Sequence, residues 1–425
     1  MITEGKLGAR AVIVGAGVAG LAAAAAVASF FETVELLDKD ELPDTAQARK
    51  GVPQDLQVHI LLKGGELALE SLLPGTRAAL LAAGAINVGQ TGDVSLWERD
   101  AWHPARDLGY SQLMMSRPAF EQVLRRQLLR HGNVTIRDRS AVEALPSDVD
   151  LTVVATGRGD RLLADVPVPE TTLGIEVAYS SARFAKPERF RGEGRFIGCI
   201  PRPPDDRYGL VCPIENDQWL ITLCSRFGNR VPDDVEGFRA HAAALPVPDI
   251  ADRLREAVAL TPVRSYRIAA ARWRHFEPAT MLPRRVLPIG DCISSFNPTF
   301  GQGMSVAAGH AVALRDILAN WVGSLDDVAA AYLPHAAEVS RQAWSLAAMV
   351  DLEYPRTRGE RPANFDKFVL GSEAMRRAAM LHPEVQRLRF EIGNLVKPDS
   401  AARSGPAARL VARELARAGG RSRER

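Results

Sequence analysis

Gly15, Gly17 and Gly20, within the run Gly15-Ala16-Gly17-Val18-Ala19-Gly20, have the types and spacing with which a backbone cradles a pyrophosphate. In such a turn the first glycine reverses the chain and the second lets main-chain N–H groups approach phosphate oxygens. The third lets a helix pack closely on a strand. Asp38 lies 18 residues beyond Gly20, where a carboxylate accepts hydrogen bonds from both ribose hydroxyls, and Lys39 follows it. An acid at this position disfavours a 2′-phosphate, so the pattern points to FAD or NAD rather than NADP.

Elements that position these residues are legible on either side. Ala11-Val12-Ile13-Val14 is an apolar run suited to a parallel strand buried on both faces, and residues 21–30 are alanine-rich and helix-favouring. Residues 33–37 read as a second strand ending on Asp38, so the whole is one βαβ unit.

A second constellation lies far along the chain. Val286-Leu287-Pro288-Ile289 reads as a buried strand running into Gly290-Asp291, followed by Asn297-Pro298-Thr299-Phe300-Gly301-Gln302-Gly303-Met304 and a helical stretch from 305 to about 321. A glycine-rich turn at a helix start offers unpaired N–H groups and the positive end of the helix dipole. Such a site stabilises the negative charge that a reduced flavin carries at N1 and O2. Asp291 would accept hydrogen bonds from ribityl hydroxyls, and Pro298 would wall one face of the flavin ring.

Together with Asp150-Leu151-Thr152-Val153-Val154-Ala155-Thr156-Gly157 and with Ser116-Arg117 opening a helix over 118–130, these motifs resemble the flavoprotein monooxygenases of the para-hydroxybenzoate hydroxylase-like fold. The resemblance runs from residue 10 to about 345 and keeps the order of the motifs. A narrower resemblance, to the flavin epoxidases of polyether biosynthesis of the lasalocid and monensin type, rests on several stretches. They are Arg49-Lys50-Gly51-Val52-Pro53-Gln54, His59-Ile60-Leu61, Pro213-Ile214-Glu215, Phe296-Asn297-Pro298, Gly303-Met304-Ser305 and Glu353-Tyr354-Pro355. It implies that Arg49 and Val52 line the FAD, that Arg117, Thr156 and Gly157 pass beside it, and that Gly301, Gln302, Gly303 and Met304 meet its ring. The implied fold class is α/β: a Rossmann-like FAD-binding domain (1–160 and 280–345), an interleaved antiparallel-sheet substrate domain (161–279) and a C-terminal helical region with a basic tail (346–425).

The chain also departs from that pattern. Ten residues separate Arg139 from Asp150, where the family carries a β-meander, so one side of the FAD domain is expected to be trimmed. Residues 171–227 alternate in polarity between turn clusters, the mark of an antiparallel sheet. His59 and the aromatic residues Phe196, Tyr208, Trp219, Phe227 and Phe296 are the substrate-pocket candidates, set against the ordinary expectation that a buried aromatic fills a core.

Composition excludes other classes. Lys and Arg number 53 against 51 Asp and Glu, a net charge of +2 that builds in no general attraction to nucleic acid. Cys199, Cys212, Cys224 and Cys292 lie far apart with no Cys-x-x-Cys pair, as expected of reduced thiols in a cytoplasmic protein. Residues 11–31 carry no charge, yet their glycines and alanines argue against a membrane span. His310, His103 and His275 belong to no hydrolase or metal motif, and metal is not expected. Lys50 and Lys63 lack the Trp-x-Trp-x-Ile stretch of flavin halogenases. Residues 401–425 hold seven Arg and two Glu, with Leu410, Val411 and Leu415 set among Arg409, Arg413 and Arg417. A basic amphipathic helix of this kind could touch a membrane or an acyl-carrier protein, although a loosely ordered tail is the simpler expectation.

The reading that results is an FAD-dependent monooxygenase acting on an apolar polyene, terpenoid or aromatic polyketide. By the resemblance, reduced FAD and O2 form a C4a-hydroperoxide that transfers one oxygen atom. NAD(P)H docking transiently, or a separate flavin reductase, would supply electrons. The alternatives are hydride transfer without oxygen insertion, as in prenyl-chain reductases, and a non-catalytic prenyl-binding escort.

Overall fold

The computed structural model describes residues 5–49, 51, 53–90, 92–278 and 281–421. The chain forms two compact units. Unit 1 comprises residues 1–85, 115–172 and 271–343, and unit 2 comprises 86–114, 173–270 and 344–425. These boundaries differ from the expected ones: residues 161–172 and 271–279 fall in unit 1 rather than in the substrate domain. Residues 86–114 leave the first segment to join unit 2, and the C-terminal helices also belong to unit 2 rather than forming a region of their own.

Unit 1 is built on a parallel sheet whose strands, among the described residues, lie in the order Val286–Pro288, Leu151–Val154, Gly8–Val14, Phe31–Leu37, Val134–Arg137. Leu151, Thr152, Val153 and Val154 are all buried, as an unbroken apolar run covered on both faces requires. Strand order reverses at Gly8–Val14, the switch point at which open α/β sheets bind ligands outside the carboxyl ends of their strands. The helix Val18–Val27 follows directly, so residues 11–31 form a strand, a turn and a helix. Its alanines present little bulk, which lets it pack against the sheet and against the helix Gly303–Ala319. No helix among the described residues is long and apolar enough to cross a membrane.

Residues 138–150 join two strands without a strand of their own. Beside them a groove of about 500 Å3 is lined by Leu145, Pro146, Val149, Thr152 and Val286.

In unit 2 a sheet runs in the order Arg264–Arg274, Glu170–Ala185, Gln218–Arg226, Tyr208–Ile214, Phe196–Pro201, Val94–Arg99, Ala101–Trp102. The expected antiparallel pairing holds between consecutive strands, for example Val211 opposite Ile221. Phe196–Pro201 and Val94–Arg99 are instead parallel, because the latter arrives from the excursion 86–114 and not from a hairpin.

One face of this sheet carries Ile197, Val211, Ile221, Leu223 and Phe184, which close a core with Phe238, Leu245, Ile250 and Leu254. Trp219 belongs to that core. It is fully buried and its ring lies 5.3 Å from that of Phe190, so the expectation that it shapes a pocket is corrected. Burying such a ring contributes on the order of 3 kcal/mol, reason enough for the residue type.

The described part of the basic C-terminal segment is helical. The helix Gly405–Arg421 lays Ala407, Leu410 and Val411 against Ala378, Ala379 and Val385 of the helices Phe365–Leu381 and Pro383–Gly393. Leu410 and Val411 are thereby partly covered within unit 2, while Leu415 is exposed. This helix differs from the expected loose tail, and part of the face expected to touch a membrane or a carrier protein is covered.

Candidate active site

The first turn is shaped as its glycines require. Gly15 adopts φ +106°, a conformation that favours glycine, and its N–H donates to the Leu37 carbonyl at 2.7 Å. Gly17 is different. A Cβ built on it meets nothing nearer than 4.0 Å, where it finds Nη2 of Arg49 and Nη2 of Arg117. The turn thus leaves open space beside two guanidinium groups, and the missing side chain is room for an anion.

Asp38 ends its strand as expected. Its carboxylate accepts from the Ala16 N–H at 2.6 Å and from Arg49 Nη1 at 3.3 Å. Val18 and Ala19 open the helix beyond the turn, and Lys39 is exposed. Val52, expected to line the cofactor, lies outside the described residues.

Arg49 and Arg117 come together on a third residue. Glu121 Oε2 accepts from Arg49 Nη2 at 2.6 Å, and Glu121 Oε1 accepts from Arg117 Nε at 3.0 Å. Asp55 completes the cluster: Oδ2 accepts from the Arg49 N–H at 3.0 Å and Oδ1 lies 3.2 Å from Arg117 Nε. His59 donates through Nδ1 to the Gln57 carbonyl at 2.9 Å, which leaves Nε2 to accept from Arg117 Nη1 at 3.1 Å. Burial and the neighbouring Arg117 charge push the His59 imidazole down to about 3, so it is neutral. Burial, with the Glu121 charge beside it, pushes the Asp55 carboxyl up to about 6. Burial also opposes the Glu121 charge, yet Arg117 and Arg49 outweigh it and hold that carboxyl below its usual range.

The second constellation sits on the same unit. Asp291 follows Gly290 at the end of Val286–Pro288, and its Oδ1 is 3.4 Å from a Cβ built on Gly303, the first residue of the helix Gly303–Ala319. Among the described residues the half-buried Asp291 carboxylate makes no hydrogen bond or ion pair, and burial raises its pKa although the charges of Arg158, Arg117 and Arg272 pull it down. Gln302 is buried with Oε1 unpartnered. Pro298 and Gly301 bracket a short 3-10 turn that Asn297 caps by accepting from the Thr299 N–H at 3.1 Å. Met304 and Ser305 follow in the first turn, where Ser305 Oγ accepts from the Leu62 N–H at 3.1 Å. Phe296 is buried just before this turn, and Thr156, whose hydroxyl donates to Asp160 at 2.6 Å, precedes Gly157 at the end of Leu151–Val154.

Unpartnered acceptors on Asp291 and Gln302, unspent donors on Arg117 Nη2 and Arg49 Nε, and an open turn at Gly17 are what a dinucleotide with a hydroxylated chain and a polar ring would satisfy. The residues present therefore fit FAD. A buried relay supports the Asp291 turn: the Gly290 N–H donates to His310 Nδ1 at 3.1 Å, His310 Nε2 meets Ser340 Oγ at 3.0 Å, and Ser340 meets Ser294 at 2.9 Å. Cys292 is a buried thiol pushed up to about 12 by burial.

Sequence reasoning missed Glu121, Asp55 and the His310 relay. The spacing of Arg117 and Glu121, four apart on one helix, is the signal that could have shown the first.

No family model matches the chain. It is 29% identical over 420 residues to Protein Rv3254 of Mycobacterium tuberculosis, with 86% of each chain covered. Among solved structures it is similar to a 2-methyl-3-hydroxypyridine-5-carboxylic acid oxygenase, with TM-score 0.63 and 19% identity over 80% of this chain and 90% of that one. The flavin-dependent brominase Bmp2 matches with TM-score 0.65 and 14% identity, over 98% and 100%. PqsL of P. aeruginosa in complex with 2-aminobenzoylacetate matches with TM-score 0.62 and 16% identity, over 81% and 97%. The chain has the flavin monooxygenase fold. At these identities the likeness establishes the architecture alone.

In unit 2, Phe196 and Tyr208 share the sheet face opposite the core, with Leu210, Cys212, Leu220 and Thr222. Phe227 lies just past its strand at φ +58°, its ring 5.8 Å from that of Tyr354 and under the guanidinium of Arg356.

Proposed function

We propose that the protein is an FAD-dependent monooxygenase that inserts one oxygen atom, by epoxidation or hydroxylation, into an apolar polyene, terpenoid or aromatic polyketide. The observation that carries this reading is the pairing within unit 1 of an open, arginine-flanked glycine turn with a half-buried carboxylate, at a helix start, that makes no hydrogen bond or ion pair among the described residues. Gly15, Ala16, Gly17, Val18, Ala19 and Gly20 would take the pyrophosphate with Arg49 and Arg117, and Asp38 the adenosine ribose. Asp291 would take the ribityl chain, and Pro298 with the N–H groups of residues 301–304 would take the ring. FAD, when bound and reduced, supplies activation of O2.

The chain supplies position and dryness. The helix Gly303–Ala319 directs its positive end at its own first turn, where developing negative charge is stabilised. His59 is held neutral, and its one unshared role is to accept from Arg117, so it orients that guanidinium rather than moving a proton. Electrons would come from NAD(P)H docking transiently or from a separate flavin reductase.

The test is to reduce the purified protein anaerobically, mix it with O2 and follow the flavin spectrum, then to incubate with isotopically labelled O2 and candidate alkenes and arenes. One labelled oxygen atom in product establishes the reading. Reduced substrate carrying no label assigns hydride transfer instead. A protein that neither retains nor rebinds flavin ends both.

A further inference from the structure

Glu121 is nearly fully buried, and both of its oxygens are committed, one to each of two arginines that come from different segments. Arg49 lies in the stretch after the second strand, whereas Arg117 opens the helix Arg117–Leu128 on which Glu121 stands one turn further on. Arg117 spends Nε on Glu121 and Asp55 and Nη1 on His59, so Nη2 is the end left over. That nitrogen lies 4.0 Å from the Cβ position of Gly17, as does Nη2 of Arg49. Two cations are therefore fixed at one distance from one open turn, and a single carboxylate joins them.

Burying a third acid near Asp38 and Asp55 is unfavourable unless something specific is obtained from it, because desolvating a carboxylate costs several kcal/mol and its charge opposes an incoming anion. We propose that Glu121 is a positioning residue, which presets Arg49 and Arg117 as a pair of donors for the pyrophosphate over Gly17. It acts through the arginines and does not touch the ligand. The inference rests on the dinucleotide reading of this turn.

A bystander Glu121 makes the opposite prediction. If the carboxylate only contributed charge, its neutralisation would leave two freer cations and tighten binding of an anion. Under the proposal, Glu121→Gln releases the pair and weakens binding roughly tenfold or more, as loss of one partner from a buried charge pair does.

The experiment measures dissociation constants of FAD, by quenching of flavin fluorescence, and of ADP as a pyrophosphate probe, by calorimetry. It uses the full chain freed of flavin, as wild type, Glu121→Gln, Arg117→Gln and the double variant. The expected result is weaker binding of both probes in Glu121→Gln, with a smaller further loss when Glu121→Gln is added to Arg117→Gln, because only Arg49 is then left to release. Riboflavin, which has no pyrophosphate, should show no such loss. Unchanged or tighter FAD and ADP binding in a folded Glu121→Gln, or full additivity of the two substitutions, overturns the proposal. If the amide variant does not fold, Glu121→Asp takes its place, since it keeps the charge but retracts it by one methylene. Weakened ADP binding there supports positioning, and unchanged binding overturns it. Failure of the wild type to bind FAD or ADP at all is a separate result, which removes the dinucleotide reading itself.

Discussion

Gly20 packs so closely on Gly15 that a Cβ added to Gly20 would lie inside the van der Waals envelope of the Gly15 carbonyl oxygen. The obstacle is backbone and cannot swing aside. Gly17, two residues past Gly15, meets no atom nearer than 4.0 Å. The same motif therefore contains one glycine required by the protein's own packing and another whose space is left for something else.

These two glycines should separate fold from ligand. Gly20→Ala should destabilise unit 1 by more than about 3 kcal/mol, in the range of severe overpacking, and lower the thermal midpoint strongly. Gly17→Ala should change stability by less than about 1 kcal/mol, because its extended backbone accepts alanine. It should nevertheless weaken FAD severely. Thermal unfolding and flavin titration of both variants check the pair, and equal loss of stability in the two would contradict the division.

Asp291 bears a half-buried carboxylate that makes no hydrogen bond or ion pair among the described residues, and burial raises its pKa against the opposing pull of Arg158, Arg117 and Arg272. Asp291→Asn should stabilise the flavin-free protein, since the cost of burying an unpaired charge is removed. The same change should weaken FAD by roughly tenfold, because the ribityl hydroxyls lose a charged acceptor. Opposite shifts in thermal midpoint and flavin affinity are the signature to measure.

His310 should make the protein acid-sensitive. Burial lowers its pKa from 6.5 to about 4, so the unfolded chain binds the extra proton between those values. Stability from this residue is fully present above about pH 6.5 and lost as pH falls toward 4, in all about 3 kcal/mol. His59 acts in the same direction as its pKa falls to about 3. Asp55 opposes both: its pKa rises to about 6, so its contribution is lost as pH climbs from about 4 to 6. The wild-type profile mixes these effects, and the difference between wild type and His310→Asn is the cleaner quantity. Asn can still accept from the Gly290 N–H. Denaturant unfolding should show the difference narrowing as pH falls from 7 to 4.5, and a constant difference would assign the imidazole no role.

The C-terminal helix should behave as part of the core of unit 2. Leu410 is half-buried against Ala378, Ala379 and Val385, so Leu410→Ala should cost about 1–2 kcal/mol, below the range for a fully buried leucine. Arg413 is exposed, and Arg413→Gln should leave stability within about 0.5 kcal/mol. Equal, negligible effects would mean that the helix does not hold to its neighbours in solution.

What the sequence by itself determined is local and chemical. A glycine spacing, a carboxylate 18 residues on and a helix start after Gly301 were legible because phosphate, ribose and ring binding need backbone groups at set intervals along one stretch of chain. The parallel sheet followed from apolar runs, since a strand covered on both faces must be apolar throughout. Tertiary structure decided whatever depends on which segments meet. Arg49 and Glu121 stand 72 residues apart, and no periodicity links them. Residues 86–114 join unit 2 because their strand Val94–Arg99 finds its partner in Phe196–Pro201, about a hundred residues later. Trp219 and Tyr208 sit on neighbouring strands with the same alternation, yet one faces the core and the other the opposite side. A period of two says that faces alternate, and only the layer packed against each face says which one is the core.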